Sequence, residues 1–207
     1  MEKEIAVIRI KLKDTTLKIR RRVELNPDIS LEEFHEIIQK TMGWHNCHLH
    51  QFYTKEITYA PQKIEGVDNS DRESFEPTET NKLKDILNST KKLSYLYDLG
   101  DCWDHDIVLN RYVEAKEDVK YPICVSAKGL CPPEDVGGVW GYEGIIKDAK
   151  SGHECEEFLK TIKHYNLTLE KLKNIENEPV DIEKINKELE RFRWLLASNN
   201  ANNITIK

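Results

Sequence analysis

The amino-acid sequence predicts an α+β fold. Its first half reads as a β-grasp-like strand–strand–helix–strand order, a long hairpin follows, and the final third is helical, all within one domain spanning 1–207. Three observations carry this. Residues 5–12 (IAVIRIKL) and 17–25 (LKIRRRVEL) are β-rich runs separated by a turn at Asp14-Thr15. Ser30 and Glu33 have the S-x-x-E spacing of a capping box ahead of an apolar periodic run. A continuous apolar stripe at helical spacing runs from Ile182 through Ile185, Leu189 and Phe192 to Leu196.

The elements follow in order. Asn26-Pro27-Asp28 ends the second strand. The helix after Ser30 places Leu31, Phe34, Ile37, Ile38 and Thr41/Met42 on one face, and Gly43 stands where a C-terminal cap belongs. Residues 47–53 (CHLHQFY) and 57–60 (ITYA) read as strands. Residues 60–80, with Pro61, Gly66, Asn69, Ser70 and Pro77, read as a surface loop. A short helix around Lys82–Leu87 leads into a hairpin over 92–115, with an acidic segment at its turn, and Tyr121–Val125 reads as one more strand. Helical segments are predicted at 143–149, 154–164 and 167–174. Asp181 caps the last helix, 181–197, and ANNITIK forms a frayed or edge-strand tail.

Composition bounds the function classes. With 207 residues, 39% hydrophobic and 33% charged, the chain can bury one core beneath a heavily charged surface. A net charge of −6 does not favour broad nucleic-acid binding. Lys18, Arg20, Arg21 and Arg22 form one basic run, read as the solvated face of an edge strand. The start, MEKEIAVIRI, has no apolar core of a signal peptide, and no run approaches the roughly 18 apolar residues of a membrane span. Five scattered Cys without a C-x-x-C pair argue against a disulfide framework or zinc knuckle. A cytoplasmic protein with free thiols and no membrane partner is expected. Phosphate-cradling glycine loops and the nucleophile elbow have no match.

Two segments concentrate the chemistry. Asp98, Asp101, Asp104 and Asp106 crowd around His105, an arrangement that suits a divalent cation or a carboxylate with a raised pKa. Asp beside Gly100 is also ordinary turn chemistry, and Trp103 can simply cover the core. In the second segment, rigid Pro132-Pro133 and permissive Gly137-Gly138 flank Glu134 and Asp135, which suits either a binding site or a helix cap near Tyr142. Cys131 reads as a buried thiol or as a thiolate ligand. A third group holds His45, Cys47, His48 and His50. On a strand, His48 and His50 would share a face, either as metal ligands or as plain polar side chains. His153 and His164 read as surface residues.

The chain resembles the plasmid pRiA4b ORF-3-like family, known chiefly from bacterial and archaeal genomes, plasmids and transposon passengers. The residues that carry the resemblance are Ile19-Arg20-Arg21-Arg22-Val23 and Gly43-Trp44 followed by His48-Leu49-His50-Gln51-Phe52. Tyr97 to Ile107 and Cys131 to Gly138 continue it, with Gly141-Tyr142 behind and a weaker echo at Ile185-Asn186-Leu189. Arg20 stands where the family usually has an aromatic residue, and Leu99 where it usually has Phe. The resemblance implies an α+β fold and no established reaction.

Three functions follow from these residues. The first is a ligand- or partner-binding module with a pocket between loops 98–106 and 131–142. Asp98, Asp101, His105, Cys131, Glu134, Asp135, Gly137 and Gly138 would line it, and Trp103, Trp140 and Tyr142 would wall it. The second is a metal-dependent hydrolase using Asp98, Asp101, His105, Glu134 and Asp135. The third is a nucleic-acid-binding accessory protein linked to mobile elements, acting through Arg20–Arg22.

Overall fold

The computed structural model describes residues 4–62, 74–90, 92–152 and 154–204, with side chains through Leu195. Among these residues one mixed sheet of eight strands has the order β5-β4-β3-β6-β7-β1-β2-β8. The strands are β1 (Glu4–Leu12), β2 (Arg20–Leu25), β3 (His50–Tyr53), β4 (Thr58–Ala60), β5 (Glu76–Pro77), β6 (Lys92–Tyr97), β7 (Trp103–Glu114) and β8 (Ile123–Lys128). Every pairing is antiparallel except β4 with β5. The helices are α1 (Leu31–Met42), α2 (Leu83–Thr90), α3 (Gly138–Ser151), α4 (Glu156–His164), α5 (Leu169–Lys173) and α6 (Ile182–Ile204).

Helix α1 forms as the sequence dictates. The Ser30 hydroxyl accepts from Glu33 N–H at 3.1 Å, and the Glu33 carboxylate accepts from Ser30 N–H at 2.8 Å. Gly43 ends it at φ +90°, a conformation open to glycine without a Cβ penalty. Leu31, Phe34, Ile37, Ile38 and Met42 bury against Ile8, Ile10 and Leu12 of β1 and their neighbours in one core. The strand–strand–helix–strand order holds along the chain. In the sheet, however, β1 lies between β2 and β7. The long hairpin β6–β7 turns at 98–102 and supplies β1's second partner.

Several expectations change. Strand β2 is not an edge, because β8 pairs outside it. Its Arg21 is buried: the guanidinium donates to the carbonyls of Thr41 at 2.8 Å, Arg20 at 3.0 Å, and Lys128 and Gly129 at 3.1 Å. Four carbonyl oxygens, one of them at the C-terminal end of α1, thus offset the cost of burying that charge. The last strand begins at Ile123 and runs to Lys128 rather than ending at Val125. Helix α3 is 14 residues long and starts inside the second special segment. The start of the strand at 47–53 shortens to His50, which leaves His45, Cys47 and His48 in a loop.

Of the expected surface loop, 63–73 lies outside the described residues, as do His153 and 205–207. The return of that loop is exposed at Ser74, Glu76, Glu79 and Thr80 and is anchored at one position. Thr78 is fully buried, its hydroxyl donates to Glu32 at 2.7 Å, and Glu76–Pro77 forms β5. Residues 201–204 continue α6 rather than forming a strand or frayed coil.

Candidate functional site

At one end of the sheet, the turn after β6, the loop after α1 and the segment before α3 meet. Asp98 makes the first turn. It sits at φ +58°, is 7% exposed, and its Oδ1 accepts from the N–H groups of Gly100 (2.9 Å) and Asp101 (3.2 Å). Asp tolerates this backbone because its short side chain bonds locally. The other oxygen, Oδ2, is 3.6 Å from His48 Nε2, and Asp135 Oδ1 lies 3.2 Å from the same nitrogen. Ligand-type atoms of His48, Asp98 and Asp135 all fall within 4.8 Å of one another.

Backbone contacts lock the two segments together. Asp101 Oδ2 accepts from Gly137 N–H at 3.2 Å. A Cβ on Gly138 (φ +66°) would stand 2.5 Å from Asp101 O, so only glycine allows that approach. Glu134 Oε2 accepts from His45 N–H at 2.9 Å, and its Oε1 accepts a short hydrogen bond from the Tyr97 hydroxyl. Burial and that carboxylate both push the Tyr97 phenol up. The buried Trp44 indole donates to Pro132 O at 2.9 Å and stacks on Tyr97 with ring centroids 5.0 Å apart. Asp135, at φ +59°, gives its carbonyl to the Tyr165 hydroxyl at 2.8 Å.

The structure divides the candidate residues. Asp98 and Asp135 meet; Asp101 and Glu134 bond mainly to backbone N–H groups and Tyr97. Asp104 and Asp106 point to the opposite face of the sheet, where Asp104 pairs with Lys13 at 2.5 Å and Asp106 with Lys92 at 3.1 Å. Strand alternation decides this: in β7, Trp103, His105 and Ile107 take the core side. His105 is fully buried, and burial lowers its pKa to about 4. It is not part of the His48–Asp98–Asp135 group, so the expected gathering of His105 with the acids on one loop is corrected.

Trp103 and Tyr142 are core side chains, 0% and 1% exposed, so neither walls an open pocket. Trp140 is 90% exposed on α3 and lines a surface cavity with Thr16, Glu143 and Lys147. The Cys131 thiol is half-buried and is pushed up to about 12, chiefly by burial, which disfavours the thiolate form. A cavity of about 720 Å³ opens between β1, β2, α1 and α6, lined by Leu25, Ile37, Tyr121 and Phe192 among others. Neither cavity is lined by Asp98 or Asp135.

His48 and His50 separate. His50 Nε2 sits 3.4 Å from Glu32, and its ring stacks on that of His35, with centroids 3.5 Å apart. His35 joins the Tyr95 hydroxyl (2.7 Å) and Asn46 Oδ1 (2.8 Å), and burial followed by the His50 charge lowers its pKa to about 3. Glu32, His35 and Tyr95 carry no motif of their own. Their one sequence signal is a polar side chain on the apolar face of α1, as His35 is between Phe34 and Ile38.

The fold defines the class, an α+β protein built on one broad, almost wholly antiparallel sheet; in this chain a histidine and carboxylates gather where loops meet at its end. The chain belongs to the family described as Plasmid pRiA4b ORF-3-like protein, whose profile matches residues 4–176. It is 34% identical over 138 residues to the uncharacterised protein y4hQ of Sinorhizobium fredii, covering 66% of this chain and 69% of that protein. The crystal structure of MM3350, a protein of unknown function from Methanosarcina mazei, superposes with a TM-score of 0.67 at 30% identity. That match covers 79% of this chain and 90% of MM3350. No helix among the described residues is long and apolar enough to cross a membrane.

Proposed function

We propose that the protein is a binding module whose loop junction takes up a divalent cation through His48, Asp98 and Asp135. The observation that carries this is the spacing of the donor atoms. Ligands bound at about 2.0–2.1 Å in tetrahedral array stand roughly 3.3 Å apart. The His48–Asp98 and His48–Asp135 separations are 3.6 and 3.2 Å. One imidazole with two carboxylates suits zinc or manganese. The Gly100 and Asp101 N–H groups hold Asp98 Oδ1 and leave Oδ2 toward the junction, the kind of support that orients a metal ligand. Five free thiols support a reducing, cytoplasmic setting.

Titration of the protein with zinc and with manganese, followed by calorimetry, tests this. One saturable site is expected, weakened tenfold or more by His48→Ala, Asp98→Asn or Asp135→Asn and unchanged by Cys47→Ser in the adjoining loop. A missing site, or one indifferent to all three changes, would sink the reading. A second reading, metal-dependent hydrolysis, draws support from the 73% exposure of the Asp135 side chain. An ion held there would keep positions open to water, as catalytic zinc sites do. Metal-dependent cleavage of a bis-aryl phosphodiester, lost in His48→Ala, favours the enzyme; metal binding without turnover favours the module.

A further inference from the structure

The ladder register collects positive charge on the sheet face turned away from α1. Arg9 lies opposite Arg22, Lys11 opposite Arg20, and Arg20 opposite Lys128 on the next strand. All five side chains are exposed, whereas the alternating Ile8, Ile10, Arg21 and Val23 are buried on the helix side. None of the five forms an ion pair among the described residues. Two acids share this face: Asp106 lies opposite Lys11 on β7 but holds Lys92, and Asp104 holds Lys13 and the Tyr53 hydroxyl (2.7 Å). Glu24, two residues beyond Arg22 on β2, pairs with none of them.

Like charges directly opposite each other across a ladder destabilise a sheet, so three such pairs bring the isolated fold no gain. Their geometry suits an extended anion. Alternate residues on a strand stand about 6.8 Å apart and neighbouring strands about 4.8 Å, so the five groups form a flat grid. A repeating polyanion meets several at once; a small anion meets one or two. Three of the five are Arg, whose planar fork engages two phosphate oxygens together. Among the described residues, Val125 is the one large exposed apolar side chain on β1, β2 and β8; the others, such as Ile57, Leu99 and Trp140, lie elsewhere, which is little for a lipid surface.

We propose that this face binds the phosphodiester backbone of a nucleic acid without reading its sequence. The net charge of −6 confines contact to the grid and makes the affinity weak and salt-sensitive. The site is separate from the His48–Asp98–Asp135 junction and stands or falls without it.

Fluorescence anisotropy with a labelled mixed-sequence DNA duplex and its single strand, titrated between about 50 and 200 mM salt, tests the proposal. Log affinity is expected to fall linearly with log salt. Arg20→Gln with Arg22→Gln should remove most binding and lower the slope by about two, about one per phosphate contact. Arg9→Gln with Lys11→Gln, on the neighbouring strand, should act in the same way. Lys160→Gln on α4, a lysine that pairs with Glu156 instead, should leave both values unchanged. No binding to either DNA at low salt overturns the proposal, as does binding that both double variants retain. Tighter binding to phosphatidylserine vesicles or to polyglutamate than to DNA at equal salt overturns it as well.

Discussion

The Asn186 side-chain amide brackets the backbone of Cys124. Its Oδ1 accepts from Cys124 N–H at 2.8 Å and its Nδ2 donates to Cys124 O at 3.1 Å. Strand β8 is an edge of the sheet, and Asn186 on α6 supplies the pair of bonds that a further strand would make. Arg193 adds a third, to Pro122 O at 2.8 Å. Helix α6 therefore covers an edge that would otherwise template pairing with a second chain. Asn186→Ala should lower stability by about 1–3 kcal/mol through the two unmet backbone groups, and should raise self-association. Denaturant melts and light scattering check both. A variant as stable and as monodisperse as the parent removes this role for Asn186.

Two substitutions separate the structural role of Asp98 from its charge. Asp98→Ala loses the bonds to Gly100 and Asp101 N–H and places alanine at φ +58°, so it should cost about 1–2 kcal/mol. Asn keeps an acceptor and tolerates that backbone, so Asp98→Asn should fold near parental stability while losing metal affinity. Parallel thermal melts and metal titrations are the measurement. If Asp98→Asn is as unstable as Asp98→Ala, its loss of metal binding says nothing about ligation.

The α3 glycines predict opposite signs. A Cβ at Gly138 meets Asp101 O at 2.5 Å with φ +66°, and one at Gly141 meets Val136 O at 1.9 Å. Neither obstacle is a flexible side chain, so each Ala variant should lose about 1–3 kcal/mol or more. Gly144 is within the same helix with nothing within 4 Å of an added Cβ, so Gly144→Ala should gain about 0.5–1 kcal/mol. Chemical denaturation of the three variants decides it, and a destabilised Gly144→Ala would contradict this account of α3.

Elements with a local cause were legible in the sequence. The Ser30–Glu33 box, Gly43 and the apolar face of α1 are encoded within a few residues, and each appears as read. The hairpin strands β6 and β7 likewise announce themselves by alternation. The neighbour of β1 and the buried state of Arg21 depend on long-range pairing, which no window of sequence contains. The sequence around His105 misleads for a related reason: four acids near it suggest a wet loop, yet β7 starts at Trp103 and its alternation sends His105 inward. The junction was half legible. Asp98 and Asp135 stand in the two segments that concentrate the chemistry, whereas His48 and His50, two residues apart in a β-rich run, read as sharing one face of a strand. That strand begins at His50, which frees His48 to turn toward the carboxylates.

Two buried histidines make stability depend on pH in one direction. His105 and His35 have pKa values lowered to about 4 and about 3, against about 6.5 in an unfolded chain. Burial disfavours the charged form, so the folded state holds fewer protons than the unfolded one across that interval. Their contribution is fully present above about pH 6.5 and is lost as pH falls toward the folded values. Glu32, whose pKa is lowered because His50 and Thr78 outweigh the opposing effect of burial, adds a loss of the same sign at still lower pH. His105 accounts for on the order of 3 kcal/mol between pH 6.5 and 4, and His35 adds a loss of the same sign. His105→Leu removes one ionisation. Denaturant unfolding at a series of pH values should therefore show a shallower fall for His105→Leu than for the parent over that interval. Parallel curves would mean that His105 takes up its proton in the folded core.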